Sequence, residues 1–320
     1  MPQTSPYTQY NSNLAAAMNA HVAQYMSWYE AAVIIYALAL AVFVANWFFA
    51  LRSLRAAAIG LSCAGLLCQL LSLQLRWRFS GHVPWNDLYG SLSVVCAAAV
   101  ALFLLFGMRY GLWFAGAPVL ALADGLLAYA KAWNKGLEPL VPSLQSYWIW
   151  IHVPIVLVSY AAFLIGFATS VLYLLKQHDE NRLQPSAGKS VGAAVAAGAA
   201  SVASVAARPR YLSWLGALPA SSKLDIITYR VIAVGEMFLT AGIILGALWA
   251  HVSWGNYWQW DAKENAALAT WAIYAAYLHL HTRPSWRGKK AAWLSIAGFV
   301  CVLFCYFGVN IWISGLHSYK

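Results

Sequence analysis

Trp28–Leu51 reads WYEAAVIIYALALAVFVANWFFAL, with Glu30 as its single charge. A helix that crosses the hydrocarbon of a bilayer needs about 20 mostly apolar residues, and this stretch supplies them without a Gly or Pro break. Seven further runs read the same way: 56–75, 88–107, 112–129, 147–175, 226–250, 266–281 and 291–313. The third and fourth are separated by a tight Gly-Met-Arg-Tyr-Gly turn. The seventh is short and polar at both ends. The fold class expected is all-α, a polytopic membrane helix bundle of about eight spans.

Composition agrees. The 320 residues are 62% hydrophobic and 9% charged, with a mean hydropathy of +0.62. Soluble domains carry about 25% charged residues. So few polar residues leave a water-facing surface uncovered, whereas lipid accepts it. The net charge of +10 does not indicate nucleic acid, because the basic residues form short clusters between apolar runs rather than one stripe. Clusters of that kind set membrane topology. Arg52, Arg55, Arg109, the 176–223 segment, Arg283, Arg287, Lys289 and Lys290 make one set of loops basic. The opposite set holds Arg76, Arg78, Lys131, Lys135, Lys263 and Lys320. The richer set is expected in the cytoplasm, which puts both termini on the non-cytoplasmic side.

The domain plan that follows has four parts. Residues 1–27 form an external N-terminal segment. No signal peptide is expected there, since the first basic residue is Arg52. Residues 28–175 carry spans one to five, and 176–223 form a cytoplasmic loop whose centre, Gly192–Ala207, is nearly all Ala, Gly, Ser and Val. Residues 224–320 carry spans six to eight with an external Trp-rich loop at 249–264. The five cysteines, Cys63, Cys68, Cys96, Cys301 and Cys305, lie in apolar runs without a C-x-x-C pair. They read as small buried hydrophobes rather than a redox motif.

The chemistry-bearing stretch is that loop: Trp249-Ala-His-Val-Ser-Trp254-Gly-Asn-Tyr-Trp258-Gln-Trp260-Asp261-Ala-Lys263-Glu264 and on to Trp271. Tryptophan gathers at membrane interfaces, so a simple aromatic belt is the bland alternative. A belt does not require Asp, Lys and Glu between its rings. A Trp shelf beside charged groups suits a flat apolar ligand with polar edges, such as haem, whose iron takes imidazole ligands. His152 opens the fifth span and His317 follows the eighth, both on the side of the Trp loop. His279 lies fifteen residues after Glu264, about 22 Å along a helix, at a depth where an ionisable side chain is a functional candidate. A packing histidine is the alternative. His281, beside Arg283, reads as interfacial. His82 lies in an external turn and His251 at the edge of the loop. His21 and His178 are assigned no role.

At this point a family is recognisable. Trp254-Gly-x-x-Trp258-x-Trp260-Asp261-x-Lys263-Glu264 resembles the "WWD" signature of haem-handling proteins in cytochrome c maturation, and specifically the CcsA/ResC branch of the System II synthase, called CcsB in some bacteria. Ser80-Gly-His82-x-Pro84-x-Asn86-x-x-Tyr89 with Ser91 looks like its SGH-P-N-YES segment. His152, Ser159-Tyr160-Ala161-Ala162, Tyr277-Leu-His279, Cys305-Tyr-Phe-Gly-Val-Asn310 and Gly315-Leu-His317-Ser-Tyr319 match further segments. The resemblance runs from about residue 55 to the end. Ala262 and Ala266 stand where the family has Pro and Trp, and Gly90 stands where it has Glu.

The resemblance implies a cytochrome c haem-lyase subunit. It would deliver haem b to the external face and help attach it to the C-x-x-C-H segment of apocytochrome c, alongside a CcsB/ResB-type membrane partner and thiol-reducing proteins. Position by position, His152 and His317 would ligate iron at an outer site and, with Asp261, act in catalysis. His279 would ligate iron inside the membrane, its second ligand coming from the partner. Trp249, Trp254, Trp258, Trp260, Asp261, Lys263 and Glu264 would hold the haem, with Lys263 facing a propionate or pairing with Asp261 or Glu264. The expected location is a bacterial inner membrane rather than a thylakoid, with the active face periplasmic. A haem exporter without ligation activity and a b-type electron-transfer subunit are the competing readings. A secondary transporter would show inverted repeats, and none is visible.

Overall fold

A computed structural model of the chain describes residues 6–137, 140, 142–183 and 210–313. Eight long helices follow one another: α1 Pro6–Phe49, α2 Arg52–Ser80, α3 Leu88–Tyr110, α4 Gly116–Lys131, α5 Ile149–Leu183, α6 Ser221–Trp254, α7 Ala262–His281 and α8 Lys289–Trp312. No strand occurs among the described residues. Seven of the eight are long and apolar enough to cross a membrane. The exception is α7, which begins Ala-Lys263-Glu264-Asn and ends His279-Leu-His281. Its 20 residues are still long enough, at about 1.5 Å each, to cross a 30 Å hydrocarbon layer. The protein is an all-α polytopic membrane bundle.

Residues 6–27 are not separate from the first span. The helix runs unbroken from Pro6 through the boundary expected at residue 27. Its inner stripe is Tyr25, Tyr29, Ala32, Tyr36, Ala39 and Phe43, all at most 1% exposed. That 4-3-4-3-4 spacing keeps one seam of a helix turned to its neighbours. Lipid offers no hydrogen bonds, so each buried hydroxyl needs a protein partner. Tyr29 donates to the Leu127 carbonyl at 2.5 Å. Tyr36 donates to Gln69 at 2.8 Å, and the Gln69 amide donates to the Ser93 carbonyl at 2.8 Å. One chain of polar contacts thereby ties α1, α2 and α3.

The helices form two groups, α1–α4 and α5–α8, joined chiefly by α3 against α5. Within the second group α5 and α6 share the longest contact. Glycine permits it: a Cβ on Gly242 would lie 2.6 Å from Val156, and one on Gly235 would lie 2.7 Å from Phe163. Small residues at such crossings let helix backbones come close where no hydrophobic drive operates between them. The 3-10 turn Arg210–Ala217 returns the chain to the bundle, with Trp214 stacked on Trp47 at 4.7 Å and Lys176 donating to the Leu215 carbonyl at 2.9 Å. The Gly192–Ala207 stretch lies outside the described residues.

The turn between α2 and α3 is held by charge. Arg76 is 3% exposed and forms a two-pronged ion pair with Asp87, one prong at 3.1 Å, while also lying over the Tyr89 ring at 4.8 Å. Asp87 in turn caps α3 by accepting from the Gly90 N–H at 2.7 Å. Gly90 has no room for a side chain: a Cβ there would fall 1.6 Å from the Pro84 carbonyl oxygen and 2.6 Å from Arg76 Nη1.

Two outcomes test this clamp. Asp87→Ala leaves the Arg76 guanidinium buried without its counter-ion, a loss of about 3–5 kcal/mol for such pairs. Gly90→Ala forces the turn apart and costs about 1–3 kcal/mol by overpacking. Both variants are expected to unfold at lower temperature than wild type when purified in detergent, and unchanged melting would refute the clamp.

Candidate functional site

The site is built where the helices end on the side away from the Lys- and Arg-rich loops. α5 starts at Ile149, so His152 sits in its first turn. Its Nδ1 lies 2.8 Å from the Gly242 carbonyl oxygen. A carbonyl only accepts, so Nδ1 carries the proton, and in the neutral ring Nε2 keeps the lone pair that a metal requires. Gly246 makes room for the ring, since a Cβ there would lie 2.7 Å from His152 Cε1. The imidazole is parallel to the Trp249 indole, 8° between planes and 6.1 Å between centroids.

Around this pair lies a small apolar cluster distinct from the main core. Val83, Leu144, Ile149 and Trp249 are buried in it, with Trp77, Trp85, Trp148 and Trp254 packed against them. Trp85 Nε1 donates to the Ile149 carbonyl at 3.2 Å. The Ser80–Pro84 turn therefore belongs to the same assembly as His152 and the Trp loop. His82 lies half-buried beside Val83, its Nδ1 3.2 Å from the Val83 carbonyl oxygen.

The Trp loop itself is short. Trp249 and Trp254 are still helical, at the end of α6, and their rings meet at 4.6 Å, edge to face. Gly255, at φ +81°, ends the helix; a left-handed residue there is glycine's role. Residues 256–260 are non-helical until Asp261 caps α7. Trp260 has φ +58° and is 68% exposed. A left-handed conformation is uncommon for a bulky residue and persists only where neighbours enforce it. Asn265 Nδ2 donates to the Trp260 carbonyl at 2.8 Å, fixing that peptide. Trp258 packs edge to face with Trp260 at 5.8 Å, and its Nε1 is buried without a partner among the described residues. His251 stacks on Tyr257 at 4.2 Å, outside the buried cluster.

The charged residues of the loop divide by task. Glu264 closes a capping box with Asp261: its Oε2 accepts from the Gln259 N–H at 2.8 Å and the Asp261 N–H at 3.1 Å. The Glu264 carboxylate is thus occupied in shaping the loop. Lys263 turns inward, and Nζ donates to Asn310 Oδ1 of α8 at 2.7 Å, rather than to Asp261 or Glu264. That contact lies next to a π-turn, Phe304–Gly308, where Cys305 lies against the Tyr160 hydroxyl at 3.4 Å. His317 lies outside the described residues.

His279 is exposed on the surface of α7, near the opposite end from the loop. His281 is turned the other way, into the bundle. It is buried at 7%, its Nε2 is 3.0 Å from Asp225 Oδ2, and its ring stacks on Tyr229. Helical period explains the split, since two residues apart is about 200° around a helix. One residue was missed outright. Glu236, in the middle of α6, is buried with neither carboxylate oxygen partnered among the described residues. An acid alone in an apolar span was a visible signal.

Comparison with known proteins places this arrangement. The sequence profile of the family described as "Cytochrome C assembly protein" matches residues 85–317, well over half of the chain. "Cytochrome c biogenesis protein CcsA" of Synechococcus elongatus is 36% identical over 273 residues, covering 79% of this chain and 84% of the relative. The protein of that name from Synechococcus sp. (strain WH7803) is 37% identical over 282 residues, covering 85% and 88%. That of Chlamydomonas reinhardtii is 34% identical over 278 residues, covering 84% and 69%. Among solved structures, "Cytochrome c Heme Lyase CcmF" superposes with a TM-score of 0.59 at 19% identity, over 90% of this chain and 46% of that one. That likeness shows the fold, and this chain spans just under half of that protein. The family match and the relatives, with the helix bundle and its Trp-lined end, establish that the chain belongs to the CcsA family of cytochrome c biogenesis proteins.

Proposed function

We propose that the chain holds haem b on the external face of a bacterial inner membrane and presents it for covalent attachment to apocytochrome c, together with a CcsB/ResB-type membrane partner. The observation that carries this reading is the His152 imidazole, oriented by the Gly242 carbonyl and set parallel to Trp249 within a tryptophan-rich cluster. An interface belt needs tryptophans but no imidazole with a fixed tautomer among them.

On this reading His152 and His317 ligate iron from its two faces. Trp249, Trp254, Trp258 and Trp260 bury the macrocycle, since aromatic faces cover large apolar area at low entropic cost. Asp261 and Glu264 act by holding the loop in shape. Lys263, tied to Asn310, anchors α7 to α8 rather than reaching a propionate. His279 faces outward from α7, where a partner helix can supply the second ligand of an intramembrane haem. The attachment adds each apocytochrome thiol across a vinyl group of the haem: one C–S bond forms, the thiol proton goes to the neighbouring vinyl carbon, and no electrons are transferred. Positioning is the chain's main contribution, and it is worth several kcal/mol of barrier in such reactions. Thiol-reducing proteins keep the apocytochrome cysteines as thiols. The histidine of the C-x-x-C-H segment then displaces one imidazole and releases the product.

The spectrum of the chain co-purified with its partner tests this directly. Wild type is expected to show six-coordinate haem, and His152→Ala and His317→Ala to lose that signature until imidazole is added. Gly246→Val is expected to weaken haem retention as strongly as His152→Ala, because it occupies the space of the ring. A haem-free wild type, or spectra indifferent to these changes, refutes the reading. Retained haem with no thioether product on a C-x-x-C-H peptide would leave an exporter.

The loop is tested separately. Glu264→Ala removes the acceptor of two backbone N–H groups, at about 1–2 kcal/mol. It is expected to make the 255–261 segment cleavable by protease, and Glu264→Gln to restore protection.

A further inference from the structure

The two helix groups also meet at a charged seam, at the end of the bundle that carries the Lys- and Arg-rich loops. α3 closes there with Arg109 and Tyr110, and Gly111 stops the helix. α6 starts at Ser221 and comes level with that stop at Arg230. Tyr110 joins the two helices. Its ring stacks on the buried Phe106 at 5.8 Å. The guanidinium carbons of Arg109 and Arg230 both lie over that ring, each 5.1 Å from its centre. Twice that distance is the most that can separate the two cations.

Both arginines are exposed, and neither has a hydrogen bond or ion pair among the described residues. The acids at this end are committed elsewhere. Asp225 is held by His281 and the Gly288 N–H, Glu180 by Ser221 and Lys176, and Asp179 is buried. A guanidinium lying on a ring uses its face, while its N–H groups point outward from its edge. The ring thus places both groups and leaves their donors open. Two like charges gathered by an aromatic ring rather than by an acid repel each other, and an anion between them removes that cost.

Charge alone would suit any oxyanion, but the helices narrow the choice. Arg109 continues along α3 into Leu105 and Ala101, and Arg230 continues along α6 into Val234, Met237 and Ala241. Spacings of four, seven, eight and eleven residues keep each set on one helix face. All but Val234 are exposed, Met237 at 72%. They lie in helices long and apolar enough to cross a membrane. Each arginine therefore stands at the head of an apolar, outward-facing stripe. An oxyanion at the arginines with hydrocarbon beneath it is the layout of a phospholipid. Free phosphate or an acidic protein segment would meet the cations and leave the stripes unused. Basic pockets between spanning helices are where anionic headgroups settle.

We propose that Arg109, Arg230 and Tyr110 bind the headgroup of an anionic phospholipid whose acyl chains lie along α3 and α6. The lipid is then a second joint between the helix groups, since α3 belongs to one and α6 to the other. None of the three residues belongs to the Trp-lined cluster, and the site is independent of haem.

Native mass spectrometry of the full chain released from nanodiscs tests this, with phosphatidylglycerol and phosphatidylcholine as probes. Wild type is expected to retain phosphatidylglycerol in preference to phosphatidylcholine. Arg109→Gln with Arg230→Gln is expected to weaken that retention by about tenfold. Tyr110→Leu keeps both charges but removes the ring that places them, and is expected to weaken it as well. Lys289→Gln with Lys290→Gln takes the same charge from the same end and is expected to change nothing. Equal loss in the two double variants would reduce the effect to the general attraction of a basic surface and overturn the site, as would retention indifferent to Tyr110→Leu. Glycerophosphoglycerol, the same headgroup without acyl chains, is expected not to displace the lipid. Displacement would make this a site for soluble phosphate esters and overturn the lipid assignment. Thermal unfolding gives a second reading. Phosphatidylglycerol in the nanodisc is expected to raise the melting temperature of wild type, and to leave the Arg109→Gln, Arg230→Gln variant where it melts in phosphatidylcholine alone. A wild type that gains nothing from the anionic lipid, or a variant that gains as much, overturns the joint.

Discussion

The close approach of α5 to α6 is the constraint on which both ends of the bundle depend. In lipid the apolar tails solvate a leucine as well as another leucine does, so helices hold together by packing and internal hydrogen bonds. Gly242 and Gly246 remove the side chains that would keep α5 away. Their absence lets Val156 and His152 rest on the α6 backbone, and His152 then finds the Gly242 carbonyl and the Trp249 face. At the far end the same two helices supply Tyr173, Ser222, Asp225 and Tyr229 to a cavity. One helix pair thus shapes the His152 cluster at one end and the cavity at the other, and a change in its crossing would disturb both.

A second constraint is the scarcity of water between those ends. Polar groups within the spans find partners inside the protein: Tyr36 with Gln69, Arg76 with Asp87, Lys263 with Asn310, His281 with Asp225. These pairs stitch elements that are remote in sequence, and each is a single arrangement rather than a choice among many, because leaving either member unpaired is costly. Glu236 stands against that pattern, with both carboxylate oxygens lacking a partner among the described residues.

Charge in the Trp loop turns out to be mostly architectural. Glu264 and Asp261 cap α7 and fix the loop backbone, Lys263 pins α7 to α8, and Trp260 is held outward in a left-handed conformation. The acidic and basic residues that marked the loop as more than an aromatic belt are the ones that hold its tryptophans in position.

The bundle was legible in the amino-acid sequence because hydropathy over about 20 residues is a local property, and the bilayer translates it directly into helices. The Trp loop, its Gly255 stop and its Asp261 cap were legible for the same reason, since turns and caps are written within a few residues. Only the tertiary structure joined the Ser80–Pro84 turn to the His152 end of α5, through Val83 and Trp85 packed with Ile149 and Trp249. It also separated His279 from His281, turned Lys263 toward Asn310, and opened a cavity beside Arg287. Each of these is decided by which neighbour occupies the space across a helix crossing. That is fixed by packing between segments far apart in the chain, and no spacing along the sequence encodes it.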